Sequence, residues 1–103
     1  MEIANTIIAQ LGGRQFTSMT GAKNLVATQG GLHFKLPRGL AKDGITSVLV
    51  VLDPSDTYTV TFHNSRGRTV ASYDETYCDQ LRGLFEDVTG LVTSMTHRYG
   101  VLA

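Results

Sequence analysis

The sequence is poor in several features that mark particular classes of protein. Its single cysteine, Cys78, excludes an intramolecular disulfide framework and a cysteine-rich zinc site. With two prolines and no linker, repeat or low-complexity tract, residues 1–103 are expected to fold as one domain. The longest apolar run, from Val48 to Leu52, is far shorter than the roughly 20 residues of a membrane-spanning helix. Because no basic and apolar leader opens the chain either, we expect a cytoplasmic protein.

The charged side chains are few and are unevenly distributed along the chain. They make up 17% of the residues, and with an apolar fraction of 42% this indicates a globular fold rather than disorder. Residues 1–42 carry five basic side chains and one acidic, whereas residues 43–103 carry four arginines and eight carboxylates. Such a chain can offer a basic surface to phosphate and an acidic surface to something else, or its charges interleave once it is folded.

Two segments have the apolar period of a helix. Between Ile3 and Leu11 the apolar side chains recur on one helical face, and Gly12-Gly13 then ends the helix. The same period runs from Tyr77 to Val88, and Gly90 ends that second helix. Both helices are short, so their apolar faces must pack on a sheet to be stable.

The segments between the two helices are typical of β-strands. Apolar and polar residues alternate in them, and glycine-rich, proline-containing or Asn-Ser-Arg-Gly turns separate them. The predicted strands are Phe16 to Met19, Leu25 to Thr28, Leu32 to Leu36, Ile45 to Leu52, the segment around Tyr58 to Phe62, and Arg68 to Tyr73. The short connections favour an antiparallel meander of five to six strands. We therefore expect an α+β fold with the N-terminal and C-terminal helices on one face of the sheet.

The cysteine is expected to be structural. Cys78 and Phe85 share the apolar stripe of the second helix, which predicts that both are buried, and Thr76 with Asp79 resembles a capping box at its start. Acidic neighbours would raise the pKa of the thiol, which is the wrong direction for a nucleophile. No catalytic role is assigned to it.

The three histidines lack the spacing of a zinc motif. His33 and His63 are both expected on the polar face of the sheet, where they could meet as a metal or proton-transfer pair if their strands were neighbours. The sequence places no carboxylate to complete such a site, and His97 lies far along the chain. We therefore predict no metal, no cofactor and no catalytic residue.

Five basic residues form a candidate surface for nucleic acid. Lys35, Arg38 and Lys42 surround one loop, while Arg66 and Arg68 belong to one hairpin. Together they could follow a phosphate backbone. Alternation turns the nearby aromatic side chains inward, so base stacking on this face is not expected.

One stretch near the N-terminus has a distinctive pattern, which consists of Gln10-Leu11-Gly12-Gly13, Phe16 and above all Met19-Thr20-Gly21-Ala22-Lys23-Asn24. In this pattern the chain resembles a family of small, mostly uncharacterised proteins that bacteriophages, prophages and other mobile elements encode. The resemblance continues through Asp56 to Val60, Arg66-Gly67 and the run from Asp79 to Leu91. It implies a setting, a mobile-element gene in a bacterial cytoplasm, and no particular activity.

This setting and the lack of catalytic residues favour a non-catalytic protein that binds a host or phage macromolecule. By analogy with other small phage proteins, it could be an inhibitor of a bacterial defence system, of the anti-CRISPR kind. The expected contact is the acidic face of the second helix, formed by Asp79, Glu86 and Asp87 with Arg82 among them. The alternative is a nucleic-acid-binding accessory protein that uses the five basic residues.

A homodimer is also expected. The candidate edge strands, Phe16 to Met19 and Arg68 to Tyr73, carry few charges and no proline, so an unpaired edge could join another strand. Val92 to Met95 could cover such an edge within one chain or pair across a two-fold axis, as part of a tail over residues 92–103.

Overall fold

Three helices and a five-stranded antiparallel sheet form residues 2–93, the part of the chain that the computed structural model describes. The helices are α1 (Glu2–Leu11), α2 (Arg14–Thr20) and α3 (Leu81–Thr89), and the strands are β1 (Lys23–Thr28), β2 (Gly31–Lys35), β3 (Ile45–Leu52), β4 (Tyr58–Asn64) and β5 (Thr69–Thr76). A short 3₁₀ turn, Lys42–Gly44, precedes β3. The strands lie side by side in chain order, so the predicted α+β meander is confirmed.

The alternation in the central strands places their large apolar side chains on the face that the helices cover. Phe34, Val48, Val60 and Phe62 are at most 1% exposed there. The opposite face carries a row that crosses all five strands in register, made of Val26, His33, Leu49, Thr61 and Ser72. This second face is open to solvent at its β1 end, where Val26 is 53% exposed.

The segment predicted as the first strand is a helix. Phe16 to Met19 belongs to α2, which follows the Gly12-Gly13 break directly. Phe16 is fully buried between Phe34 and Phe85, and the Thr20 hydroxyl donates to the Phe16 carbonyl at 2.6 Å. Tertiary packing of one aromatic residue therefore outweighs the β-propensity of a four-residue stretch.

The last helix begins later than the sequence predicted. β5 continues to Thr76, and Tyr77 and Cys78 lie in a turn in which the Tyr77 amide donates to the Gln80 side chain. The proposed capping box is therefore absent, and Cys78 is exposed rather than buried. The remaining stripe is correct, because Leu81 and Phe85 are at most 1% exposed. No helix within residues 2–93 is long and apolar enough to cross a membrane.

Both edges of the sheet carry irregularities that the sequence did not reveal. The ladder shifts register in β1 between Lys23 and Val26, and in β5 opposite Tyr58–Val60. Asn24 and Glu75 have left-handed backbone conformations at these points, with φ of 54° and 50°. Bulges of this kind hinder pairing with another strand. The homodimer stays a prediction. Residues 94 and 95 of the tail segment that was expected to take part in it lie outside the described residues.

We expect Phe85→Ala to lower the free energy of unfolding by about 3–5 kcal/mol, because it empties a fully enclosed aromatic site. Urea denaturation measures this change. Tyr77→Ala is the matched control, since Tyr77 is 58% exposed, and should change stability by less than about 0.5 kcal/mol. A small loss for Phe85→Ala would mean that α3 does not pack as described.

Candidate functional site

A basic cleft opens where β1, β2 and the β4–β5 turn meet. Its volume is about 460 Å³. The charged and titratable residues that line it are Lys23, His33, Lys35 and Arg38, and polar groups from Thr46, Ser47, Asn64 and Ser65 complete its wall. Within residues 2–93, no aspartate or glutamate lines this cleft.

Two lysines face each other across the edge of the sheet at this cleft. Lys23 on β1 is the direct register partner of Lys35 on β2, and both side chains are exposed. Like charges directly opposite each other destabilise a strand pair, and here no carboxylate of the lining offsets them. An anion placed between the two ammonium groups would remove this repulsion.

The segment from Thr20 to Asn24 explains how Lys23 reaches its position. The Thr20 hydroxyl accepts a hydrogen bond from the Ala22 amide at 3.1 Å. Gly21 ends α2 with φ of 74°, and a Cβ there would lie 2.8 Å from Pro37. Asn24 then adopts its left-handed conformation at the bulge. These contacts fix the end of α2 and thereby place Lys23 at the start of β1.

The β4–β5 turn supplies two further cations beside the cleft. The Asn64 side-chain oxygen accepts hydrogen bonds from the Arg66 and Arg68 amides, each at 3.0 Å. Ser65 and Gly67 line the cleft, and the two arginines are exposed next to them. Asn64 thus fixes the backbone that carries both guanidinium groups.

The charges of the cleft affect its histidine. Partial burial, the nearby His63 and the ammonium group of Lys35 together lower the pKa of His33 below its ordinary value of 6.5. The free cleft therefore disfavours a further positive charge at His33. A bound anion acts in the opposite direction, because it stabilises the imidazolium form.

The five predicted basic residues do not all come together. Lys35 and Arg38 line the cleft, and Arg66 and Arg68 flank it. Lys42 does not line it, because its Nζ donates to the Asp87 carbonyl at 3.1 Å, at the end of α3. Lys23 was missed, because only the pairing of β1 with β2 brings it beside Lys35.

The predicted acidic contact surface on α3 does not exist as one surface. Glu86 is 1% exposed, because the chain after Gly90 folds back over it and Thr93 donates to its Oε2 from both the amide, at 2.7 Å, and the hydroxyl, at 2.9 Å. Arg82 Nε donates to the Thr93 hydroxyl at 2.9 Å. Asp79 and Asp87 line different depressions.

His33 and His63 do not lie on neighbouring strands. His33 on β2 and His63 on β4 pair with residues of β3, which separates their strands by about 10 Å. Within residues 2–93, no group of three or more His, Cys, Asp or Glu side chains could hold a metal ion. His97 lies outside the described residues. Burial raises the pKa of Tyr58, whose hydroxyl donates to Gln10 at 2.7 Å.

No protein-family model, curated protein or solved structure matches this chain. The resemblance to a phage and mobile-element family therefore stays a prediction.

We expect Glu86→Ala to destabilise the protein by about 1–3 kcal/mol, because it leaves the buried Thr93 amide and hydroxyl without their acceptor. Urea denaturation of this variant and of Asp79→Ala tests the assignment. Asp79 is exposed, so its variant should stay within about 0.5 kcal/mol of the parent protein. Equal stabilities of the Glu86→Ala and Asp79→Ala variants would mean that Glu86 is exposed, as the sequence predicted.

Proposed function

We propose that this protein is a non-catalytic binding module that engages the phosphate backbone of a nucleic acid through its basic cleft. The observation that carries the proposal is the register pairing of Lys23 with Lys35 in a cleft lined by no carboxylate among residues 2–93. Arg38 lies in the same cleft, and Arg66 and Arg68 extend the positive charge along the β4–β5 turn.

The chemistry of the cleft favours recognition of phosphates over recognition of bases. Lysine and arginine neutralise phosphates and release their counterions, which gives affinity without reading the sequence. The large aromatic side chains of the central strands, Phe34, Tyr58 and Phe62, are at most 4% exposed and cannot stack on bases. We therefore propose sequence-independent binding.

This proposal replaces the acidic α3 surface as the main contact, because Glu86 is buried. We also propose that the protein is a phage-type accessory protein of a bacterial cytoplasm, which acts by binding rather than by catalysis. That it inhibits a host defence system rests on the family resemblance alone. A nucleic-acid-binding accessory role needs no such analogy.

We expect the protein to bind a fluorescein-labelled duplex DNA with a steep dependence on salt, measured by fluorescence anisotropy. If five cations contact phosphates, the logarithm of the association constant should fall with the logarithm of salt concentration at a slope of about −4.5. Lys35→Ala should weaken binding by roughly fivefold and reduce this slope by about 0.9.

The matched control is Lys42→Ala, which removes the same charge from the same half of the chain but outside the cleft. It should leave both affinity and slope near those of the parent protein. If the two lysine variants behave alike, binding follows overall charge and the cleft is not the site. The same duplex with a scrambled sequence should bind equally well.

A further inference from the structure

A second surface feature lies between the edge strand β5 and α3, away from the residues of the basic cleft. Two adjoining depressions of about 510 and 540 Å³ share Tyr73, Leu84 and Asp87 in their walls. We call their union the β5–α3 groove. Its apolar floor is formed by the partly buried Val70, Ala71, Leu84 and Val88 together with Tyr73.

Tyr73 gives the groove an exposed aromatic side chain in a fixed position. Its ring packs edge-on against the buried Phe62, with centroids 6.3 Å apart and an interplanar angle of 80°. It nevertheless remains 41% exposed. A tyrosine held in this way offers contact area at little cost in conformational entropy, and tyrosine is enriched where proteins bind one another.

The rim of the groove is acidic. Asp43 stands at one end, Asp74 and Glu75 stand at the other, and all three are exposed. Among residues 2–93, Lys42 is the one basic residue in its lining, and its ammonium group donates a hydrogen bond to the Asp87 carbonyl. Four of the eight acidic side chains of residues 43–103 therefore line the groove, beside apolar surface.

The acidic rim and the apolar floor together determine which kind of ligand fits the groove. A nucleic acid would be repelled by the carboxylates. A second copy that adds its strand to β5 meets the bulge at Glu75, which hinders regular pairing. A peptide segment with both apolar and basic side chains complements the apolar floor and the acidic rim.

We infer that the β5–α3 groove binds a basic, partly apolar peptide segment of a partner protein, with its apolar side chains on the Tyr73 and Leu84 floor and its lysines or arginines against Asp43, Asp74 and Glu75. This site is separate from the basic cleft, so it holds whether or not nucleic acid binds there.

Titration calorimetry with synthetic peptides tests the inference on the full chain. Three peptides of equal length are compared, with alternating lysine and valine, alternating glutamate and valine, or alternating lysine and serine. The lysine–valine peptide should bind at least about tenfold more tightly than either of the others, because only it matches both rim and floor. Equal binding of the lysine–serine peptide would overturn the role of the apolar floor.

Variants locate the binding. The double variant Asp74→Asn with Glu75→Gln keeps the size of both side chains. It should weaken the binding of the lysine–valine peptide by about tenfold. Asp79→Asn removes an exposed carboxylate outside the groove and should have no effect. Lys35→Ala should also leave peptide binding unchanged, which separates this result from any failure at the basic cleft. Peptide-independent self-association of the protein that the double variant abolishes would assign the groove to a second copy and refute the inference.

Discussion

Phe16, Phe34 and Phe85 bring α2, β2 and α3 together at one point under the sheet. Their ring centroids lie 5.2 to 6.0 Å apart, and none of the three is more than 1% exposed. A helix of seven residues such as α2 is not stable alone, so its conformation depends on the burial of Phe16. The end of α2 determines that β1 begins at Lys23. The packing of α3 determines which of its side chains face β5. The cleft and the groove are therefore both consequences of one aromatic contact.

The fold collects charges of opposite sign on two separate surfaces. The cleft collects cations from β1, β2 and two loops, and the groove collects carboxylates from β5 and the turn before β3. At the cleft the opposite charges do not interleave, because Lys23 meets Lys35 rather than an acid. Two surfaces of opposite sign suit a protein that holds a nucleic acid and a basic protein segment at the same time.

The parts of the fold that follow from local pattern could be predicted. The alternation of β3 and β4 and the turns between them gave the meander, and the α3 stripe gave Leu81 and Phe85 as core residues. The failures depended on contacts distant in sequence. The burial of Phe16 makes its segment helical, and the return of the chain to Thr93 buries Glu86. Most of the cations of the cleft could be predicted from the sequence. The position of Lys23 could not, because it depends on the register of β1 against β2, which no local pattern contains.

The pKa of His33, followed by NMR with and without saturating duplex DNA, tests the central claim most directly. In the free protein this pKa is lowered by burial, His63 and Lys35. A phosphate bound in the cleft favours the imidazolium form, so the pKa of His33 should rise. By linkage, the affinity for DNA should increase as the pH falls from the higher pKa of the bound state towards the lower pKa of the free state. If the pKa stays where it is or falls while the DNA is bound, the phosphate does not lie in the cleft and the account is wrong.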